Sequence, residues 1–147
     1  MIRRARLVDA PKIVPLAEKF YKQTLYAITY EFDYDTVLEL TGKLIQSSIV
    51  FVVELEHKLV GVMAISVHPF MFNKNQLSSG EVIWWVEPEA QGQGWGKKLF
   101  QACDKECEAW GLPTCQLFLM ADSPPIAKSL YEDAGYQLSE LCFTREF

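Results

Sequence analysis

The sequence is poor in features that would tie it to a membrane, a metal or a nucleic acid. No stretch reaches the ~18 apolar residues of a membrane span; the run from Ile49 to Leu55 is broken by Glu54 and ends at Glu56, His57 and Lys58. The start, Met1-Ile2-Arg3-Arg4-Ala5-Arg6, carries arginines without a following apolar run of ~7–15 residues, so a secretory signal is not expected. Cysteine is scarce: Cys103, Cys107, Cys115 and Cys142 follow no paired spacing and read as reduced thiols of a cytoplasmic protein. The 2 histidines, His57 and His68, fall far from Cys103 and Cys107 in the expected order of elements, so no metal site is expected. Positive charge is short as well: 14 Lys+Arg against 19 Asp+Glu leave −5. A chain of that sign gains little from counterion release, so neither nucleic acid nor an anionic membrane is a favoured partner. With 8 Gly and 7 Pro, collagen-like and linker compositions are excluded.

What is present is apolar. Half of the 147 residues (50%) are hydrophobic and 13% are aromatic, which excludes disorder and fits a single domain, residues 1–147, with a core that needs no disulfide or metal.

The elements follow from periodicity and punctuation. Residues 2–7 read as a short strand, and Asp9 is placed to cap a helix carrying Ile13, Leu16, Ala17 and Phe20 at helical spacing. The aromatic, acidic segment 26–35 reads as a connection or short irregular helix, after which Asp33 or Asp35 caps a second helix to about Ser47. Residues 49–56 and 58–68 read as two strands joined by a tight turn at His57-Lys58, and 69–79 as a loop. A strongly apolar strand, 81–86, ends at Pro88. The helix that follows the glycines buries Leu99, Phe100, Cys103, Cys107 and Trp110 on one face and stops at Gly111 and Pro113. Residues 114–120 read as a strand, Asp122 onward as a short helix ended by Gly135, and 136–147 as one or two terminal strands. The order β-α-α-β-β-β-α-β-α-β predicts an α/β domain with a mixed sheet.

The segment Gln91-Gly92-Gln93-Gly94-Trp95-Gly96-Lys97-Lys98, between a strand and a helix, is the most informative. Its glycines let backbone N–H groups converge without Cβ obstruction, and the helix start adds unpaired donors and a positive dipole end. Such a cradle suits a phosphate or pyrophosphate. A Walker A loop requires a Ser or Thr after the lysine and an earlier glycine; here Lys98 and Gln91 stand in those places. A G-x-G-x-x-G fingerprint started at Gly92 requires glycine where Lys97 stands.

The spacing that does match is R/Q-x-x-G-x-G/A, filled by Gln91, Gly94 and Gly96, with Val86-Glu87-Pro88 upstream and Leu130-Tyr131-Glu132-Asp133-Ala134-Gly135-Tyr136 downstream. In these features the chain resembles the GNAT superfamily of N-acetyltransferases. The resemblance implies an acyl-CoA N-acyltransferase fold: a mostly antiparallel sheet splayed at its fourth and fifth strands and flanked by about four helices. It implies acetyl-CoA as co-substrate and no metal. The edge at Trp84, Trp85 and Val86 would pair with the pantetheine, and Gln91, Gly92, Gln93, Gly94 and Gly96 would surround the pyrophosphate beside Lys97 and Lys98. Val86 N–H would face the developing oxyanion, and Tyr131 would protonate the departing thiolate. A base is needed because an amine of pKa ~10.4 is charged at neutral pH. Glu81, near the start of the motif strand, is the best candidate, one residue off the family's usual spacing; on a strand that offset reverses its face unless a bulge restores it. The acceptor, a small cationic or peptidyl amine, would meet Tyr26, Tyr30 and Glu31. Pro124 stands where the family often has asparagine, which leaves a non-catalytic acyl-CoA-binding module as the alternative. The resemblance also allows a homodimer.

Overall fold

A computed structural model describes residues 1–147. In chain order its elements are β1 (Ile2–Arg4), α1 (Ala10–Lys22), the short α2 (Tyr26–Thr29), α3 (Tyr34–Ser47) and the strands β2 (Ile49–Leu55), β3 (Lys58–Phe70) and β4 (Asn73–Val86). Two helices follow, α4 (Trp95–Ala109) and α5 (Pro125–Asp133). The strands form one sheet in the order β1-β2-β3-β4, antiparallel throughout. No helix is long and apolar enough to cross a membrane.

Local chemistry sets the joints. Glu56 and His57 have φ of 49° and 64°, making the left-handed two-residue turn that matches the twist of the β2–β3 hairpin. The turn thus begins one residue earlier than expected. The segment 69–79, expected as a loop, instead continues both strands into a long hairpin, with Pro69 opposite Leu77 and Phe70 opposite Asn73. This ribbon projects beyond the helices, so its residues are largely exposed and show no apolar alternation to betray a strand.

Asp33 is the residue that caps α3, its Oδ2 accepting from Thr36 N at 2.8 Å. Asp9 precedes α1, but its carboxylate turns back to Arg6 N–H and the Arg3 guanidinium rather than capping the helix. Gly111 and Gly135, with φ of 65° and 91°, follow the ends of α4 and α5.

Two expectations fail. Residues 114–120 form no strand; a single parallel bridge joins Gln116 to Gly80, and residues 136–147 are without helix or strand. Past Glu81 the chain beyond Gln116 makes no further pairing with β4, so β4 has an open edge there but no fifth strand forms the other arm of the expected fork.

The sheet separates two cores. Under α4 and α5 lie Ile49, Val53, Met63, Ile65, Leu99 and Phe100, together with Cys103 and Cys107. Against α1 and α3 lie Ile13, Leu16, Val50, Val52, Val62 and Trp85. Gly61 is the tightest glycine: a Cβ there would stand 3.0 Å from Val53 Cγ2 and 3.3 Å from both Leu99 Cδ1 and Trp85 O. Gly61→Ala is therefore expected to destabilise the protein by about 1–2 kcal/mol through overpacking, read as a lower urea midpoint with an unchanged slope.

Candidate active site

The site is assembled around the free edge of β4. Gln116 N donates to Ser79 O at 2.9 Å and Glu81 N donates to Gln116 O at 2.8 Å, and there the pairing ends. Glu87 N donates to Val60 O at 2.8 Å, so by alternation the main-chain groups of Trp85 face β3 while those of Trp84 and Val86 face the open edge. Trp85 thus serves the site from behind: its indole is buried in the α1/α3 core with Nε1 unpaired. Val86 O accepts from Gln91 Nε2 at 2.8 Å, which ties the glycine segment to the strand and leaves Val86 N–H directed outward.

A bulge decides where Glu81 points. Ala64 pairs with Ile83 and Ile65 pairs with Glu81, so Val82 is an extra residue on β4. Val82 and Ile83 both turn to the α1/α3 side, and Glu81 turns to the α4/α5 side. There its Oε2 accepts from Phe118 N at 3.3 Å and from Tyr131 OH at 3.4 Å; the same hydroxyl lies 3.1 Å from Phe118 O. Desolvation pushes the Glu81 carboxyl up to about 7, against the opposing pull of the Phe118 amide and the Tyr131 hydroxyl. Burial, reinforced by the nearby Glu81 charge, raises Tyr131 well above the ordinary phenol range, so its hydroxyl stays protonated. Trp84 packs against Tyr131, with ring centroids 6.0 Å apart, and against Phe100 at 6.1 Å.

Beside this edge lies the start of α4. Gly92 and Gly94 have φ of 77° and 83°, a region that favours glycine. Gly94 is the N-cap and offers no side-chain acceptor. Lys98 N makes the first helical bond, to Gly94 O, so the amides of Gln93, Gly94, Trp95, Gly96 and Lys97 have no acceptor within the protein. At Gly96 the turn lies against the Trp84 indole, whose Cζ2 would stand in ordinary van der Waals contact, 3.7 Å, with an added Cβ. Lys97 is exposed at the same turn, and the Lys98 ammonium lies 4.6 Å from the Trp95 ring. The Gln93 side chain holds the loop together, donating to Glu89 O and accepting from the Trp95 indole. Five converging donors at a positive helix end fit a diphosphate.

On the opposite face of the sheet, α1, α3 and β4 enclose a cavity of about 460 Å³. Glu31 lines it, whereas Tyr26 and Tyr30 are exposed and lie outside it. Sequence reasoning missed Val82, the bulged β4 residue that lines this cavity, and Glu87, a fully buried carboxylate paired with Lys19 Nζ at 2.5 Å. The one-residue offset of Glu81 is the signal of the bulge that turns Val82, whereas nothing in the spacing signals Glu87, which follows from how α1 crosses the sheet.

Residues 46–138 match the family described as the acetyltransferase (GNAT) domain, and the chain belongs to that family. Over 91 residues, 61% of the chain, it is 37% identical to the mycothiol acetyltransferase of Streptomyces avermitilis; the match spans 27% of that protein's length. Among solved structures it resembles a predicted acetyltransferase with acetyl-CoA from Clostridium acetobutylicum, with a TM-score of 0.76 at 14% identity over 99% of this chain and 95% of that one. It is also similar to the glucosamine-6-phosphate N-acetyltransferase of Arabidopsis thaliana, with a TM-score of 0.71 at 16% identity over 100% of this chain and 97% of that one. At these identities the likeness to solved structures is one of fold.

Proposed function

We propose that the protein transfers the acetyl group of acetyl-CoA to a primary amine. The observation that carries this reading is the junction of the unpaired β4 edge with the five unsatisfied amides at the start of α4. In the reaction the amine nitrogen forms the new C–N bond, the thioester C–S bond breaks, and one amine proton ends on the released thiol. Acetyl-CoA supplies the activated acyl carbon; the protein's own groups do the rest. The amides of Gln93, Gly94 and Gly96, with Gln91 and Gly92 shaping the loop and Lys97 adding charge, hold the diphosphate. Val86 N–H donates to the carbonyl oxygen as charge develops on it, an interaction worth several kcal/mol in enzymes of this chemistry. Glu81, held near neutrality by burial, receives the amine proton, directly or through water. Tyr131, protonated throughout, donates toward the sulfur.

Calorimetric titration with acetyl-CoA, followed by an assay of thiol release with primary amines, tests the reading. Binding together with amine-dependent release is expected; binding without release from any amine would mark a non-catalytic module. Gly94→Ala is expected to weaken acetyl-CoA binding about tenfold, because alanine lets the free loop relax out of the left-handed region and binding must then restore that conformation at ~1–2 kcal/mol. No atom crowds the added Cβ, so the penalty is one of backbone conformation. An unchanged Kd would show that these amides do not hold the cofactor.

A further inference from the structure

The cavity behind β4 has walls of one kind and polar groups of another. Ile13, Ala17 and Phe20 of α1 face Val37, Leu40 and Leu44 of α3, and the sheet supplies the floor. Its polar lining is almost wholly committed inside the protein. Thr41 Oγ1 donates to Val37 O at 2.7 Å, Thr36 Oγ1 donates to Asp33 Oδ2 at 2.5 Å, and the Tyr21 hydroxyl donates to the main-chain oxygen of Tyr30. Asp33 Oδ2 is further held by Thr36 N as the cap of α3. Glu31, exposed at the rim, has a carboxylate without a hydrogen-bond or ion-pair partner, and Asp33, also exposed, is bonded through Oδ2 alone and pairs with no cation.

This inventory discriminates among amines. An amino sugar or a polyamine entering here would leave hydroxyls or extra ammonium groups without partners, each at a cost comparable to a lost hydrogen bond or more. An alkyl or aryl chain would trade water for apolar wall at no such cost. The volume of about 460 Å³ falls in the range of small-molecule pockets. A negative rim draws a cation in, and Val82, the bulged residue beside the open edge, marks the end at which a nitrogen reaches the acyl carbon.

Resting on the acetyl-transfer reading above, we propose that the acceptor is a primary monoamine on an apolar alkyl or aryl body, which lies between α1, α3 and the sheet. Glu31 guides its ammonium group at entry, and the body, once seated, presents the nitrogen at Val82. The bond changes are those of the proposed reaction: C–N forms, C–S breaks, and the amine's surplus proton passes through water round the open edge of β4 to Glu81, whose side chain lies on the other face, and then to the thiol.

The test compares n-butylamine to n-octylamine and 2-phenylethylamine with glucosamine and spermidine. With acetyl-CoA saturating, kcat/KM is expected to rise about fourfold per methylene until the cavity fills. Glucosamine and spermidine are expected at least ~100-fold below 2-phenylethylamine. Ala17→Trp, which fills the cavity from α1, is expected to raise KM for 2-phenylethylamine at least tenfold while acetyl-CoA affinity is unchanged. Leu40→Gln, at an exposed rim position, is expected to raise KM for 2-phenylethylamine as well. Binding of 2-phenylethylamine is measured separately by calorimetry. If it binds, weakens in Ala17→Trp and yet no amine releases thiol, the acceptor cavity stands and acetyl transfer falls. If glucosamine or spermidine reacts as well as 2-phenylethylamine, or if 2-phenylethylamine neither binds nor reacts, the cavity assignment is overturned and the transfer reading is judged on the remaining amines.

Discussion

Glu81→Gln is expected to lower kcat by about 100-fold or more at pH 7.5, the range lost when a positioned general base is removed. The geometry explains why this carboxylate is the one at issue. Without the bulge at Val82, Glu81 would share the face of Ile83 and Trp85 and point away from Tyr131. With it, the side chain lies beside the Tyr131 hydroxyl, buried enough that its pKa is near 7. The wild-type pH–rate profile is therefore expected to show an acid limb near pH 7, absent in the variant. Stability moves the opposite way. A raised carboxyl pKa favours the folded state while protonated, and that contribution is lost as pH rises from the ordinary 4.5 through about 7. The slope is at most about 1.4 kcal/mol per pH unit. Glutamine carries no charge to bury, so above pH 7 the variant is expected to be slower and yet more resistant to urea. A variant with full activity and an intact acid limb would remove Glu81 from the mechanism.

Asp9→Ala is the largest expected loss of stability, about 3 kcal/mol, which for a chain of this size corresponds to a fall of about 10 °C in Tm. Asp9 is 1% exposed and accepts from Arg3 Nη1 at 2.7 Å, Arg3 Nη2 at 3.0 Å and Arg6 N at 2.7 Å. Arg3 also donates through Nε to Glu54 at 2.7 Å, so one guanidinium ties β1 to β2 and to the start of α1. Removing Asp9 strips a half-buried cation of its bidentate partner. The Arg3 hydrogen bonds hold the Asp9 carboxyl at about 2, outweighing the desolvation that opposes them. A depressed carboxyl pKa stabilises above its ordinary value of 3.8 and loses that contribution as pH falls toward 2. The wild type is thus expected to lose stability between about pH 4 and pH 2, and Asp9→Ala to lose much less over the same interval. Thermal melts across that interval check both expectations; parallel acid profiles would show that the pair carries little energy.

The parts of the fold that could be read from sequence are those in which one face is buried and the other is wet. The α4 stripe of Leu99, Phe100, Cys103 and Cys107 is buried as its spacing predicts, and the glycines on either side mark its ends. Trp110, placed on that stripe, is instead 42% exposed, capping the end of the helix with its indole N–H on Glu106. Spacing failed where a strand is wet on both faces, as in the Pro69–Leu77 hairpin, because no apolar period remains to be seen. It failed again at 114–120, where Leu117 to Met120 form an apolar run but the main chain diverges from its neighbour after Gln116. For the site, motif spacing locates the glycine turn and Tyr131. It does not locate the cavity, which requires α1, α3 and a bulged β4 to meet in space, and it placed Tyr26 and Tyr30 at a surface they do not line.

The sheet that divides the interior into two packed halves also divides what mutation can alter. Residues proposed to grip the diphosphate rest on the layer under α4, whereas those proposed to select the acceptor rest on the layer under α1 and α3. Changes in well-separated packing groups combine nearly independently. Descendants of such a chain can therefore drift to new amines by re-lining one layer, with the nucleotide grip inherited intact.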